Sequence, residues 1–209
     1  MIRTWLMDIR PLYEAGRYRA CYEGLPAFRK EKADKHRYQK GKAQSAGAWM
    51  LLEKIRKEYE ISEKAAFNLS HSGDYVLCSI DMDCCENTQI GCDIEEVKEA
   101  NLRIAERFFC PSECRRIFEE KSKEQQNDLF YRFWVLKESF MKATRQGMAM
   151  DTRSFEIQLS RPPVLLKKPE GYPGEYYYQE YKVPGIPYKI AVCSTDKEID
   201  SKIRMELKA

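Results

Sequence analysis

The sequence predicts an α+β fold made of two similar lobes. Each half of the 209-residue chain contains long stretches with apolar residues at helical spacing, and short alternating stretches that are typical of strands. The last alternating stretch, YKIAVCS, also resembles the stretch DYVLCSI of the first half. Long helices and antiparallel strands in both halves favour a layered α+β arrangement. We therefore expect an N-terminal lobe over residues 1–98 and a C-terminal lobe over residues 99–209.

Composition sets limits on the class of protein. A hydrophobic content of 43% and a charged content of 33% are typical of globular chains. The net charge of +3 is too small to predict a nucleic-acid partner. The longest uncharged stretch, Ala43–Leu52, is far shorter than the roughly 20 residues of a membrane-spanning helix. Asp8 and Arg10 interrupt the apolar N-terminus, where a signal peptide needs an unbroken core. We expect a cytoplasmic protein without membrane contact.

The eight cysteines form no C-x-x-C pair, and the chain has only two histidines. A zinc site is therefore poorly supported by the sequence. Without a secretory signal, we expect reduced thiols that are mostly buried and act as small apolar residues.

The elements of the first half follow in order. Pro26–Ile61 is predicted to be a long helical region, basic at its start and amphipathic after Ala43. Ala65–Asp81 reads as strand, polar turn and strand, with the turn at Ser70–Gly73. QIGCDIEEV, residues 89–97, alternates apolar and acidic residues and is predicted to be a third strand.

The second half begins with a helix at Pro111, for which Ser112 is the expected N-cap. A longer helix follows over Asn127–Thr144. From about Asp151 the pattern changes to short strands, and the Pro-rich run Arg161–Pro173 is predicted to be a loop.

Two carboxylates raise the question of chemistry. Residues two apart on a strand share a face, so Asp93 and Glu95 point the same way and repel each other unless a positive charge lies nearby. In the long helix, Glu138 and Lys142 lie at the edge of an apolar stripe. They could form a solvated i,i+4 pair worth about 0.3–0.5 kcal/mol. Alternatively, Glu138 is a third carboxylate that binds Mg²⁺ together with the strand pair.

Three stretches of the sequence resemble the 4′-phosphopantetheinyl transferases, specifically the larger, pseudo-dimeric Sfp-like class. They are IGCDIEEV, IAERFFCPSE and FWVLKESFMKATRQGM. That family has a Gly-x-Asp-x-Glu strand followed by Trp-x-x-Lys-Glu-x-x-x-Lys, which correspond to Gly91, Asp93, Glu95, Trp134, Lys137, Glu138 and Lys142. FNLSHSG is likewise similar to the family's Asn-x-Ser-His-Ser segment. The resemblance covers most of Phe67–Phe155 and implies two lobes related by a pseudo-two-fold axis, for which a monomer is sufficient.

The resemblance implies a function. The family transfers the 4′-phosphopantetheine arm of coenzyme A to a serine of an acyl or peptidyl carrier protein, releasing adenosine 3′,5′-bisphosphate. Asp93, Glu95 and Glu138 would bind Mg²⁺, with Mn²⁺ as an alternative ion. Glu138 or a metal-held water would be the general base, and Lys142 would contact the phosphates and stabilise the departing bisphosphate. Lys137 is expected to turn toward solvent.

The resemblance also implies contacts to the 3′-phosphate of coenzyme A. His71 would bind this phosphate, assisted by Ser70 in the predicted polar turn and by the basic residues Arg29 and Lys32. The chain departs from the family pattern in lacking a Gly-Lys-Pro segment before Phe67. It also has Gly41 where the family often has a carboxylate.

Other functions stay open at this point. The same carboxylates could serve a metal-dependent phosphodiesterase that cleaves coenzyme A or a nucleotide with water. A non-catalytic module that binds coenzyme A or a carrier protein is a further alternative. Carrier proteins are typically acidic near their serine, so a basic surface is expected to meet them, with Arg103, Arg107, Arg115 and Arg116 as candidates.

Overall fold

The computed structural model describes residues 1–209, except for the side chain of Met148. The helices are α1 Ala15–Glu23, α2 Ala27–Asp34, α3 Gln39–Glu58, α4 Leu102–Phe108, α5 Pro111–Phe118 and α6 Lys123–Ala143. The strands are β1 Ile2–Asp8, β2 Phe67–Ser72, β3 Tyr75–Asp81, β4 Ile90–Glu96, β5 Glu156–Gln158, β6 Val164–Lys167, β7 Tyr177–Tyr181, β8 Tyr188–Ser194 and β9 Ile199–Arg204.

The strands form two main sheets and a small hairpin. The first sheet has the order β2-β3-β1-β9, in which β1 is antiparallel to β3 and parallel to β9. The second sheet has the order β4-β8-β7 and is antiparallel, and β5 pairs with β6 alone. The α+β class predicted from the sequence is confirmed.

Strand pairing crosses the middle of the chain in both directions. β4 lies before residue 98 but pairs with β8, from Ile90 opposite Ser194 to Glu96 opposite Tyr188. β9 lies after residue 99 but extends the first sheet beside β1. The boundary at residues 98 and 99, and the pseudo-two-fold relation between two lobes, stay predictions.

Buried apolar clusters hold these elements together, and one of them packs α4 and α5 on α6. α3 packs on the outer face of the first sheet, with Leu51 and Leu52 in a cluster with Trp5 and Val76. α6 packs on the second sheet, with Leu136 and Phe140 in a cluster with Ala191 and Tyr178. The two sheets meet through a third cluster, which includes Ile2, Leu6, Leu77, Ile94 and Val192. Burial of such apolar surface is the main source of the fold's stability.

Gly91 explains how closely α6 approaches β4. A Cβ atom at this position would lie 1.9 Å from the carbonyl oxygen of Ser139 and 2.3 Å from the amide nitrogen of Ala143. Both of these are backbone atoms of α6, which cannot move aside as a side chain could. Because β4 side chains alternate between faces, Asp93 and Glu95 lie on the same side of the strand as Gly91 and face the helix.

Several sequence predictions of local structure were wrong. The predicted helical region Pro26–Ile61 is divided into α2 and α3 at residues 35–38. β6 lies within the run Arg161–Pro173, which was predicted to be a loop. The N-cap of α5 is Cys110 and not Ser112, because Pro111 already occupies the first helical turn. The Glu113 side chain accepts a hydrogen bond from the Cys110 amide and completes this cap.

The predicted turn at Ser70–Gly73 is largely strand. Ser70, His71 and Ser72 lie in β2 and are paired with Leu77, Val76 and Tyr75 of β3. The turn consists of Gly73 and Asp74, and Gly73 has a φ of 54°, which favours glycine. The amides of Ser70–Ser72 therefore do not form an anion-binding turn.

All eight cysteines are free thiols; four are buried, and Cys84 and Cys85 are exposed. Among the residues that the structure describes, no helix is both long enough and apolar enough to cross a membrane.

Candidate functional site

The centre of the candidate site is the contact between α6 and β4. Lys142 Nζ lies 2.6 Å from Asp93 Oδ1 and also donates to the Cys92 carbonyl at 3.2 Å. Burial lowers the pKa of Lys142, but the charge and hydrogen bond of Asp93, together with the charges of Cys92 and Glu138, outweigh it and raise the pKa above the usual value. Lys142 is therefore charged near neutral pH.

Asp93 is buried and only half satisfied. Its Oδ1 atom accepts from Lys142 and from the Ser70 hydroxyl, which lies 2.9 Å away. Its Oδ2 atom is buried and has no hydrogen-bond partner. An unpaired buried carboxylate oxygen is costly, and a cation bound beside it would compensate for the lost solvation.

Polar side chains of β2 hold β4 in place. Asn68 Oδ1 accepts from the Cys92 amide at 3.0 Å, and Ser70 donates to Asp93. The Ser72 hydroxyl donates to Glu95 Oε2 at 2.8 Å and accepts from the Glu96 amide. Sequence analysis did not predict that Asn68 and Ser72 contact β4. Their alternation with Leu69 and His71 was the signal that could have found them.

The other two carboxylates lie at the same contact. Burial, followed by the charges of Asp93 and Glu138, raises the pKa of Glu95 to about 7. Burial and then the charge of Asp93 also raise the pKa of Glu138. Glu138 and Lys142 are one helical turn apart, as their spacing predicted. The predicted set of Asp93, Glu95 and Glu138 thus comes together as three mutually repelling carboxylates.

These residues fit a hard divalent cation. The donor set is all oxygen, as Mg²⁺ requires, and the unpaired Asp93 Oδ2 atom offers a ligand. The ligand atoms of Asp93, Glu95 and Glu138 do not all lie within 4.8 Å of one another in the described part of the chain, whereas those of Asp81, Asp83 and Cys85 do.

The Asp81 carboxylate is held by hydrogen bonds from the loop that follows β3. Asp81 itself accepts from the amides of Asp83 and Cys85 and from the Thr88 hydroxyl. We interpret this group as a support for the loop that follows β3.

Lys137 does not turn toward solvent, so that expectation was wrong. It is 1% exposed and pairs with the buried Glu113, whose Oε2 atom lies 2.9 Å away. Lys137 Nζ also donates to the carbonyls of Thr152 and Phe155, both at 2.8 Å. Glu113 accepts in addition from the amides of Cys110 and Ile157. This satisfied pair connects α5, α6 and β5, and Lys137 directly precedes Glu138 in α6.

A cluster of basic groups lies at the end of β2. His71 is exposed, and its pKa is lowered to about 4 by the surrounding protein and then by Lys142, His36 and Lys32. In the chain as described, no carboxylate forms an ion pair with His71, His36 or Lys32. A surplus of positive charge of this kind favours a bound anion.

Arg29 lies near this cluster, but its guanidinium is occupied. Its Cζ atom lies 4.9 Å from the centre of the Trp49 ring, and its NH2 group donates to the Ser45 carbonyl at 3.1 Å. Arg29 Nε is buried without a partner. Of the two predicted basic contacts, Lys32 is exposed and Arg29 is buried beneath it.

An open cavity lies beside the end of α6. Its volume is about 760 Å³, within the range of small-molecule sites. Phe67, at the start of β2, lines one side, and Thr144 and Arg145 line another. The predicted carrier-facing arginines of α4 and α5 are all exposed: Arg103, Arg107, Arg115 and Arg116.

The arrangement therefore has two chemically different ends. Carboxylates and Lys142 meet at the α6–β4 contact, and unpaired basic groups gather around His71. A ligand that carries several phosphates and binds a divalent cation at one of them would match both ends.

Comparison with known proteins identifies a family and several relatives. A model of the 4′-phosphopantetheinyl transferase superfamily matches residues 89–193. 4′-Phosphopantetheinyl transferase Sfp of Bacillus subtilis is 37% identical over 143 residues, which are 68% of this chain and 60% of that protein. 4′-Phosphopantetheinyl transferase ffp of Bacillus subtilis is 38% identical over 143 residues, with the same shares covered. The chain thus spans about 60% of the length of these relatives.

Among solved structures, the holo-[acyl-carrier-protein] synthase of Thermotoga maritima aligns with 51% of this chain and 61% of its own, at 24% identity and a TM-score of 0.42.

Proposed function

This chain belongs to the 4′-phosphopantetheinyl transferase superfamily, and we propose that it transfers the 4′-phosphopantetheine arm of coenzyme A to a serine of an acyl or peptidyl carrier protein. Adenosine 3′,5′-bisphosphate is the other product. One observation carries this proposal more than any other. Lys142 Nζ is paired with one oxygen of Asp93, while the second oxygen is buried and unpaired, with Glu95 and Glu138 beside it.

The metal centre follows from the same carboxylates. Asp93, Glu95 and Glu138 would hold Mg²⁺, or Mn²⁺ in its place. The ion would neutralise charge on the pyrophosphate of coenzyme A. Ser70 and Ser72 orient Asp93 and Glu95 for this role through the hydrogen bonds that they donate.

The reaction needs a proton acceptor and a charge to balance the leaving group. The serine oxygen attacks the β-phosphorus of coenzyme A, and the bond to the bridging oxygen of the pyrophosphate breaks. Glu138 accepts the serine proton, because its raised pKa makes it a stronger base than an ordinary carboxylate. Lys142 donates hydrogen bonds to the pyrophosphate, which stabilises the bisphosphate as it departs.

The basic end of the site positions the nucleotide. His71 and Lys32 contact the 3′-phosphate, where no carboxylate of the described chain neutralises them. The nucleoside occupies the cavity lined by Phe67 and Arg145. The exposed arginines of α4 and α5 supply a positively charged surface for an acidic carrier protein.

The test is to mix the purified protein with coenzyme A, Mg²⁺ and a panel of apo-carrier proteins, and to measure the mass of each carrier. At least one carrier should gain the mass of one phosphopantetheine group. A chelator should abolish the gain, and Glu138→Gln should reduce it by a factor of at least about 100. Glu124→Gln, an exposed position at the other end of α6, is the matched control and should retain activity.

Two results would contradict the proposal and identify its rivals. Release of adenosine 3′,5′-bisphosphate from coenzyme A without any carrier would indicate a phosphodiesterase. Binding of coenzyme A without a mass gain in any carrier of a broad panel would indicate a binding module.

A further inference from the structure

Arg145 lies in a backbone conformation that favours glycine. It follows Thr144, the C-cap of α6, and its φ is 57°, in the left-handed region that residues with a Cβ atom rarely adopt. Glycine adopts this region without strain. The turn at the end of α6 therefore gives no reason for an arginine at this position.

A basic side chain near a helix C-terminus often donates to the last carbonyl groups, but α6 does not use Arg145 in this way. The Thr144 hydroxyl donates to the carbonyls of Phe140 and Met141, both at 3.1 Å. The Arg145 amide donates to the Lys142 carbonyl at 3.1 Å. Within the part of the chain that the structure describes, the Arg145 guanidinium has no hydrogen-bond or ion-pair partner. This exposed group is therefore free to bind a ligand.

Arg145 also lines the cavity beside the end of α6, whose volume is about 760 Å³. Lys142, about one helical turn earlier, lies 3.0 Å from the Ser70 hydroxyl and 2.6 Å from Asp93 Oδ1. The cavity is therefore adjacent to the groups that would hold the pyrophosphate of coenzyme A. A part of the coenzyme that is joined to this pyrophosphate can extend into the cavity and meet Arg145.

A purine base needs a flat group on which to stack. Among the described residues that line the cavity, Phe67 is the only aromatic one. Its ring already has partners, because the Arg56 Cζ atom lies 5.1 Å from the ring centre and the Trp49 ring packs edge to face at 6.2 Å. The guanidinium of an arginine is planar and stacks on aromatic faces, unlike the ammonium of a lysine. Arg145 is thus the lining residue best suited to carry a base.

The same cavity offers side-chain amides for the edge of the base, since Asn87 and Gln89 line it. A side-chain amide donates and accepts at the same time, which matches the amino group and the neighbouring ring nitrogen of adenine. The pantetheine arm, in contrast, offers no flat face to Arg145. These groups together favour the adenine base as the occupant.

We propose that Arg145 binds the adenine base of coenzyme A by stacking its guanidinium on the face of the base. The inference rests on the proposed function and adds a specificity determinant to it. The left-handed backbone is then the consequence of having an arginine, rather than a glycine, where the end of α6 meets the cavity.

The first experiment compares affinity with stability in Arg145→Gly. Calorimetry with Mg²⁺ gives the dissociation constants of coenzyme A and 3′-dephospho-coenzyme A. Because both ligands carry the base, both should bind about tenfold to a hundredfold more weakly, which is the range for the loss of one base-stacking contact. The melting temperature should stay equal or rise, because glycine relieves the backbone strain.

Glu60→Gly is the matched control. Glu60 is exposed just beyond the end of α3, has a φ of 51° and does not line the cavity, so both affinities should stay unchanged. A loss for coenzyme A alone in Arg145→Gly would mean that Arg145 binds the 3′-phosphate, and a lower melting temperature with unchanged affinities would make Arg145 a structural residue. Either result would overturn the proposal.

Arg145→Lys separates stacking from charge, because it keeps the positive charge and loses the planar group. Its affinity for both ligands should stay closer to that of Arg145→Gly than to that of the wild type. Recovery of the wild-type affinity would mean that Arg145 binds a phosphate through its charge, which would contradict the stacking contact.

Two cysteines of the cavity report its occupant directly. Cys84 and Cys85 are exposed free thiols that line the cavity. Adenosine 3′,5′-bisphosphate carries the base but no thiol, and it should protect both cysteines from alkylation by iodoacetamide, as measured by mass spectrometry of peptides. The concentration for half protection should rise about tenfold or more in Arg145→Gly. Cys114, which lies in α5 outside the cavity, is the control and should react at an unchanged rate.

Absence of protection at saturating adenosine 3′,5′-bisphosphate would place the base elsewhere and overturn the proposal. Failure of the inference is distinguishable from failure of the proposed function. If the wild type modifies a carrier but Arg145→Gly keeps its affinity for both coenzymes, only the inference fails. If the wild type binds neither coenzyme, both fail.

Discussion

Asp93 and Lys142 form an ion pair that satisfies only one oxygen of the carboxylate. Lys142 Nζ lies 2.6 Å from Asp93 Oδ1, while Oδ2 is buried without a partner. A purely structural ion pair in a protein interior is normally satisfied on both sides, as the nearby pair of Lys137 and Glu113 is. The asymmetry of Asp93 therefore indicates a second positive ligand, in agreement with the proposed metal.

Asp93→Ala should abolish transfer and also destabilise the protein. The variant leaves Lys142, which is 27% exposed, without its charged partner, and we expect a loss of about 2 kcal/mol in the free energy of unfolding. Urea denaturation measures this loss. The double variant Asp93→Ala/Lys142→Met should be more stable than the single variant, because the orphaned charge is gone. A single variant as stable as the wild type would contradict the pairing.

Gly91→Ala should disrupt the contact of β4 with α6. The added Cβ meets backbone atoms of the helix at 1.9 Å and 2.3 Å, so the helix must shift. We expect a loss of about 3 kcal/mol or more in the free energy of unfolding, with loss of activity. Thermal denaturation measures the effect. Gly174→Ala, where the nearest atom lies at 3.9 Å, is the control and should change stability little.

The sequence predicted the parts of the site that local geometry determines. The two-residue period of β4 places Asp93 and Glu95 on one face, and the i,i+4 spacing in α6 places Glu138 beside Lys142. The resemblance to a known family then supplied the one long-range relation, that this strand face and this helix edge meet. The structure shows this contact between β4 and α6, which the glycine at position 91 makes possible.

The sequence did not predict hydrogen bonds and ion pairs between polar groups that lie far apart in the chain. Ser70 and Ser72 look like turn residues by composition, but their hydroxyls bind Asp93 and Glu95, each 23 residues away, so the segment is a strand. Lys137 looked solvent-facing for the same reason, since nothing near it in sequence indicates Glu113. Likewise, β1 and β9 were not predicted, because their pairing joins opposite ends of the chain.

The buried pair of Lys137 and Glu113 should respond differently to single and double substitution. Glu113→Leu leaves a buried ammonium without its carboxylate, and we expect a cost of about 3–5 kcal/mol. Glu113→Leu/Lys137→Met replaces both charges by apolar groups, and its stability should recover much of that loss. Chemical denaturation of the two variants gives the comparison. A double variant no more stable than the single one would show that the hydrogen bonds to Thr152 and Phe155 dominate.

The last prediction concerns the pH dependence of coenzyme A binding. The pKa of His71 is lowered to about 4 in the free protein, so the ring is neutral at neutral pH. A bound 3′-phosphate favours the charged ring and raises this pKa. The complex then holds more protons than its separate partners, and coenzyme A should bind more tightly as the pH falls from about 7.5 to about 5.5.

The stability of the free protein should change in the opposite direction. The depressed pKa of His71 stabilises the folded protein above pH 6.5, which is the pKa of this histidine in the unfolded chain. This stabilisation is lost as the pH falls through about 4. Calorimetry between pH about 7.5 and about 5.5 measures the binding of coenzyme A. The same measurement on His71→Ala is the control, because it reports the titration of the phosphate itself, whose second pKa is about 6. The wild type should show the steeper dependence. Equal slopes for both proteins would mean that His71 does not contact the phosphate, and the basic end of the site would then depend on Lys32 and His36.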